Sequence, residues 1–146
     1  MTNPDPRTTD SQRRTPPRWT PTAGGRRVLI EHASAEVRDA LTQELHERGF
    51  DTLSCAGPGE QGRCPLLDQT VCPAVGGADA VVSGLADTGP GRVIACTIHY
   101  QYPDRPLLIE GTREMLRGLE PALREHGVYP LEAQDVADRI EEQLDD

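Results

Sequence analysis

Lysine is absent from this chain of 146 residues, and all 15 of its basic residues are arginine. Schiff-base chemistry needs a lysine amine, and a phosphate-binding loop of the Walker type ends in lysine, so both are excluded. Aromatic residues make up only 3% of the sequence, with one Phe and one Trp. Ser/His/Asp spacing and a glycine-rich phosphate fingerprint are also missing, and we expect a protein that is not an enzyme.

Positive charge is scarce overall, because 24 acidic residues leave a net charge of −9. Binding to nucleic acid or to an anionic membrane needs clustered basic residues, so neither is expected as a partner. No apolar run approaches the roughly 20 residues that span a bilayer. The N-terminus has no apolar signal-peptide core, which predicts a cytoplasmic protein with reduced thiols.

The first 25 residues are rich in Pro, Gly, Thr, Ser and Arg, and they contain the only tryptophan, Trp19. Such a stretch has too little apolar surface to offset the entropy lost on ordering. We therefore predict a disordered tail over 1–25, in which Trp19 is an incidental aromatic residue rather than a docking motif. A single α/β domain is predicted over 26–146.

The domain opens with a continuous apolar run, Val28 to Ile30, followed by a helix pattern that begins after Ser34 and ends at Gly49. Continuous rather than alternating apolar residues are typical of a central parallel strand. Short strands are further predicted over 50–53, 79–83 and 106–110, and at 128–129. The segment 55–77 interrupts this pattern and is predicted to be a long loop that carries three cysteines.

Residues 90–100 have β-branched residues that favour a strand. Parallel neighbouring strands need a crossover of about a dozen residues, however, and the gap before 106 is too short for one. We therefore predict a helix over 90–100, another after Thr112 that Pro121 kinks or restarts, and a final helix through Val136 and Ile140. The alternation predicts a three-layer, doubly wound flavodoxin-like fold with parallel strand order 2-1-3-4-5.

The stretch Val28-Leu29-Ile30 followed by Ser34-Ala35-Glu36-Val37-Arg38 resembles the start of a response-regulator receiver domain, which is CheY-like. In that alignment, His32 and Ala33 stand where the family has its acidic pair. Gly84 stands at the phospho-accepting aspartate, give or take one residue, and the fourth-strand hydroxyl residue maps near Glu110-Gly111. The resemblance therefore implies a degenerate receiver without the groups that phosphorylation needs, because acceptor, cation ligands and lysine are all missing.

Four cysteines, Cys55, Cys64, Cys72 and Cys96, are the remaining residues with characteristic chemistry. No two form a C-x-x-C pair, so zinc-ribbon and thioredoxin signatures are absent. The predicted topology nevertheless brings all four toward the carboxyl edge of the sheet, where such folds bind ligands, with His32 as a further ligand. Three interpretations stay open: a Zn²⁺ or iron–sulfur site, a Cys64–Cys72 disulfide switch, or plain packing.

These observations lead to two hypotheses of different class. The first is a receiver-like signalling or regulatory module that is not phosphorylated and acts through a protein partner. The alternative is a metal or redox sensor that uses the cysteines on the same fold. The oligomeric state and the identity of the partner do not follow from the sequence.

Overall fold

The computed structural model describes residues 17–20, 25–58, 64–68, 70–129 and 132–144. Within them, five parallel strands form one sheet in the order β2-β1-β3-β4-β5. The strands are β1 (Arg27–His32), β2 (Asp51–Cys55), β3 (Ala80–Gly84), β4 (Leu107–Glu110) and β5 (Gly127–Val128). The predicted three-layer α/β fold and strand order are confirmed.

Helices cover both faces of the sheet. They are α1 (Ala35–Glu47), α2 (Pro73–Gly76), α3 (Gly89–Gln101), α4 (Arg113–Arg117), α5 (Pro121–Arg124) and α6 (Ala133–Leu144). The side chains of β1 alternate between the two layers: Val28 and Ile30 pack with α1 and α6, whereas Leu29 packs with α2 to α5. No helix among the described residues is both long and apolar enough to cross a membrane.

Short polar side chains start the longer helices. The Ser34 hydroxyl accepts a hydrogen bond from the Val37 amide at 3.3 Å, and the Thr88 hydroxyl accepts one from the Gly91 amide at 3.0 Å. Thr112 caps α4 in the same way, through the Met115 amide at 3.2 Å. Each cap satisfies an amide that has no partner inside the helix, which is why the helices begin at these residues.

The segment between β2 and β3 differs from the predicted loop, because it contains the short helix α2. Pro73 occupies the first turn, where its missing amide costs nothing, and this signal was present in the sequence. The helix predicted over 90–100 is confirmed as α3, and the chain restarts at Pro121 as α5.

Trp19 contacts the α/β domain and so does not fit the predicted disordered tail. Its indole Nε1 donates a hydrogen bond of 2.8 Å to the carbonyl oxygen of Ala74, and its ring packs against the core under α2. The Arg27 guanidinium lies 5.3 Å from the centre of the same ring. The prediction for Trp19 is thus wrong, while the rest of the predicted disordered tail, 1–16 and 21–24, lies outside the described residues.

Candidate functional site

The receiver-like positions meet at the carboxyl edge of the sheet. His32 ends β1, Gly84 ends β3, and the two are register partners across the parallel pair. Glu110 ends β4, and its Oε1 lies 3.3 Å from His32 Nε2. Any Cβ atom at position 84 would overlap the His32 ring. The imidazole therefore covers the place where the resemblance puts the phospho-accepting aspartate.

Hydrogen bonds determine the tautomer of His32. The Ser34 amide donates to His32 Nδ1 at 3.0 Å, so this nitrogen carries a lone pair and the proton sits on Nε2. Nε2 then donates to the Glu110 carboxylate. The Arg38 guanidinium also donates to the carbonyl oxygens of His32 and Ala33, at 2.6 and 3.1 Å. These contacts hold the β1–α1 turn closed over the strand ends.

The other residues near this edge supply little. The methyl group of Ala33 has no ligand atom, and the residue is exposed. Asp87 is exposed in the turn between β3 and α3. Among the described residues, His32 and Glu110 are the two receiver-like positions whose side chains are paired, and each is 17% exposed.

A second feature is a cavity of about 170 Å³ on the α2 side of the sheet. Cys55, at the end of β2, lines it together with Cys64 and Cys72. Three of the four cysteines thus share one cavity. Its other walls are mostly apolar: Pro17, Leu29, Ala56, Gly57, Pro65, Leu66, Ala74 and Ile94, with Ser54 and Glu31 as the polar exceptions.

Among the described residues, Glu31 is the one carboxyl group that lines this cavity, and it is only 3% exposed. In the same part of the chain, neither its buried Oε1 nor the buried Ser83 hydroxyl on the neighbouring strand has a hydrogen-bond partner. Burial raises the pKa of Glu31 to about 7, because a charge without a partner is poorly solvated there. No arginine or histidine among the described residues lines the cavity.

Backbone amides lie near two of the cavity cysteines. The Gly57 amide donates to Cys55 Sγ at 3.4 Å, the Leu67 amide donates to the carbonyl oxygen of Cys64 at 3.0 Å, and the amides of Leu66 and Leu67 lower the pKa of the Cys64 thiol. Burial nevertheless raises the pKa of Cys55 to about 11, with the nearby Glu31, Cys64 and Cys72 adding to the effect. Burial likewise raises the pKa of Cys64. Both thiols are therefore protonated at neutral pH.

The two remaining predicted ligands lie elsewhere. Cys96 is on α3 and lines a separate groove beside α4 and α5, where its sulfur is 3.9 Å from Glu120 Oε2. His32 is paired with Glu110. Across the part of the chain that the structure describes, no three His, Cys, Asp or Glu side chains are placed to hold a metal ion as they stand.

Glu31 is the residue that the sequence analysis missed. It directly follows the apolar run Val28 to Ile30, on a strand that is buried on both faces. A lone acidic residue in a continuously apolar strand predicts a buried carboxyl group. Such groups are rare, because burying a charge without a partner is unfavourable. That signal was readable from the sequence.

No protein-family model matches the sequence, and no curated protein matches it either. The structure does resemble solved ones. One is a CheY-like response regulator receiver domain protein from Methanospirillum hungatei JF-1, with a TM-score of 0.59, 15% identity, and coverage of 84% of this chain and 95% of that one. An orphan response regulator of H. pylori gives a TM-score of 0.60 at 16% identity, covering 88% and 99%.

A receiver domain from Clostridium thermocellum is similar to the same degree, with a TM-score of 0.60, 16% identity, and coverage of 82% and 94%. At these identities the likeness concerns the fold, and side-chain chemistry has to be taken from this chain alone. The strand order, the two helical layers and the likeness to these structures agree. The chain has the fold of a CheY-like response-regulator receiver domain.

Proposed function

We propose that this protein is a cytoplasmic, non-enzymatic regulatory module of receiver-like fold that works without phosphorylation and through contacts with another protein. The observation that carries the proposal is the His32–Glu110 pair over Gly84. Phosphorylation of a receiver needs a carboxylate acceptor and a cation that bridges the phosphate oxygens. Here an imidazole fills the acceptor position, and its hydrogen-bond partner is a carboxylate, which repels phosphate.

The likeness to receiver domains supports the regulatory part of the proposal. One similar structure is described as an orphan response regulator and another as the receiver domain of the hybrid histidine kinase CckA. A domain of this fold that has exchanged its phosphorylation residues retains its surface. That surface supports action through contacts with another protein.

Helix α3 offers a surface for such contacts. Val93 and Tyr100 are 48% and 87% exposed, and their spacing of seven residues places both on one stripe of the helix. Large apolar side chains that remain in water are favoured in protein interfaces, where aromatic residues contribute much of the binding energy. This stripe supports a protein partner, rather than the nucleic acid that the net charge disfavours.

Phosphorylation is tested by intact mass spectrometry after incubation with acetyl phosphate and Mg²⁺. We expect no gain of one phosphate, while an ordinary receiver domain treated in parallel gains it. Beryllofluoride should likewise leave the amide NMR spectrum unchanged. A phosphate gain that disappears in Asp87→Asn would contradict the proposal, because it would identify Asp87 as a substitute acceptor.

The protein contact is tested by placing a photo-crosslinking residue at position 100 in cells. We expect a discrete crosslinked species that contains a second protein. The matched control carries the same residue at Gln43, which is exposed on α1, on the opposite face of the sheet. Equal crosslinking at both positions, or none at position 100, would contradict a specific surface on α3.

A redox switch is the less favourable use of the cysteines. Thiol–disulfide exchange proceeds through the thiolate. Burial raises the pKa of both Cys55 and Cys64, so thiolate is scarce at neutral pH. Of the two cysteine functions predicted from the sequence, we favour metal binding, because a bound cation itself stabilises the thiolates that it requires.

A further inference from the structure

The cavity beneath α2 contains an unusual set of groups for an interior. Cys55, Cys64 and Cys72 line it together with Glu31, whose buried Oε1 has no hydrogen-bond partner among the described residues. A buried carboxyl oxygen without a hydrogen bond loses its hydration and gains nothing in return, which destabilises the fold. The described part of the cavity wall has no basic side chain to offset it. A cation is the ligand that this wall lacks.

The surroundings of the sulfur atoms indicate what kind of cation. The Gly57 amide donates to Cys55 Sγ at 3.4 Å, and the amides of Leu66 and Leu67 lower the pKa of the Cys64 thiol against the effect of burial. Backbone amides near sulfur stabilise negative charge on it, and they are the usual outer contacts of metal-bound thiolates.

The positive φ of Gly57, 92°, is part of this geometry. A left-handed conformation is easily adopted by glycine alone, and it turns the Gly57 amide back toward Cys55. Parallel register places Glu31 directly beside Cys55 on the neighbouring strand, so both side chains lie on the same face. The sheet itself thereby positions Glu31 and Cys55, and the segment that follows β2 carries Cys64 and Cys72.

We propose that Cys55, Cys64, Cys72 and Glu31 form a binding site for a single Zn²⁺ ion in the cavity beneath α2. Three thiolates and one carboxylate match the four-coordinate, tetrahedral preference of Zn²⁺. An iron–sulfur cluster fits less well, because it takes four cysteines and Cys96 lies in a separate groove. The site does not depend on the regulatory function proposed above.

Among the described residues, no three ligating side chains are placed to hold an ion as they stand, and the cavity of about 170 Å³ is far larger than one ion. Binding therefore draws Cys64 and Cys72 toward the two ligands on the sheet and releases the thiol protons. The segment around Cys64 should become more rigid when the ion enters. Slower hydrogen exchange at the Leu66 and Leu67 amides would report this directly.

The test is a titration of the reduced, full-length protein with Co²⁺, followed by competition with Zn²⁺. Tetrahedral Co²⁺ with thiolate ligands gives intense visible bands and a sulfur-to-metal charge-transfer band. We expect both at one Co²⁺ per chain, and their loss when one equivalent of Zn²⁺ is added. Cys72→Ser should weaken binding by more than the roughly 10–100-fold that the loss of a supporting group costs.

Cys96→Ser is the matched control, since it removes one thiol outside the cavity and should leave the Co²⁺ spectrum and affinity unchanged. Glu31→Gln should keep the charge-transfer band of three thiolates while weakening binding. If Cys72→Ser fails to fold, the wild type, Cys96→Ser and Glu31→Gln still decide the matter. Absence of a charge-transfer band in the wild type, or equal loss in Cys96→Ser, would overturn the site.

Discussion

At position 84, glycine is required by a neighbouring side chain rather than by the backbone. The His32 ring lies where a Cβ atom would be, and it is held there by the Ser34 amide and by Glu110. A side chain at position 84 therefore has to displace a ring with two hydrogen bonds. The His32–Glu110 pair and Gly84 form one packed unit.

This unit leads to a prediction about Gly84→Ala. The added methyl group should destabilise the fold by about 1–3 kcal/mol, the usual cost of overpacking, because the ring cannot move without losing its partners. In the background of His32→Ala the same change should cost much less, since the obstacle is gone. Urea unfolding of the two single variants and the double variant measures this coupling, and strict additivity would contradict it.

Among the elements, α2 shows how residues distant in sequence hold a short helix. It has only four residues, and Cys72 at its N-cap provides no side-chain hydrogen bond. Trp19 compensates on the outer side: its ring covers Gly77 and its indole donates to the Ala74 carbonyl. The Arg105 guanidinium donates to the Val75 carbonyl oxygen from the opposite direction. A helix of this length is not stable alone, and these contacts supply what it lacks.

We therefore expect Trp19→Ala to lower the free energy of unfolding by about 1–3 kcal/mol, from lost apolar contact and one lost hydrogen bond. The melting temperature measured by circular dichroism checks this. Arg18→Ala is the matched control, because Arg18 is exposed beside Trp19 and should matter little. An unchanged melting temperature in Trp19→Ala would mean that the indole contributes nothing to α2.

At the scale of the whole molecule, two histidines from distant elements meet. His99, near the end of α3, and His126, just before β5, have ring centres 4.9 Å apart. Burial lowers the pKa of His126, and His99 lowers it further, whereas the nearby Glu125 opposes them. His126 is partly buried at this junction.

The sign of the pH effect follows from that shift. The pKa of histidine in an unfolded chain is about 6.5. Below this pH the unfolded state therefore binds a proton more readily than folded His126 does. The stability contributed by neutral His126 is therefore present above about pH 6.5 and lost as the pH falls through its lowered pKa. The molecule should become less stable in mild acid because of this pair.

The measurement compares wild type with His126→Gln between about pH 5 and 8, since other titrating groups act in both proteins and cancel. We expect the wild type to lose stability relative to the variant as the pH falls below about 6.5. His99→Gln should reduce that dependence without removing it, because burial is the larger cause. A difference between wild type and His126→Gln that does not change with pH would contradict the assignment.

Much of the architecture could be predicted from residues that act over short distances. Ser34, Thr88 and Thr112 cap helices through amides three residues ahead, and Val28 to Ile30 form a buried strand because they are continuously apolar. The length that a crossover between parallel strands needs decided which segments were predicted as helices and which as strands. The predicted parallel order β2-β1-β3-β4-β5 is confirmed. Local chemistry and chain geometry were sufficient there.

The grouping of the site residues could not be predicted in this way. The predicted topology put Cys96 with the other cysteines, whereas the structure places it in a different groove, beside Glu120. Register across β1 and β2, rather than sequence separation, sets Glu31 beside Cys55. Packing across the sheet likewise brings Trp19 onto α2. The sequence by itself determined most of the elements and the lack of lysine, because both depend on residue type and local order. Only the tertiary structure decided which cysteines share a cavity and that His32 covers Gly84, because those contacts join residues from separate elements.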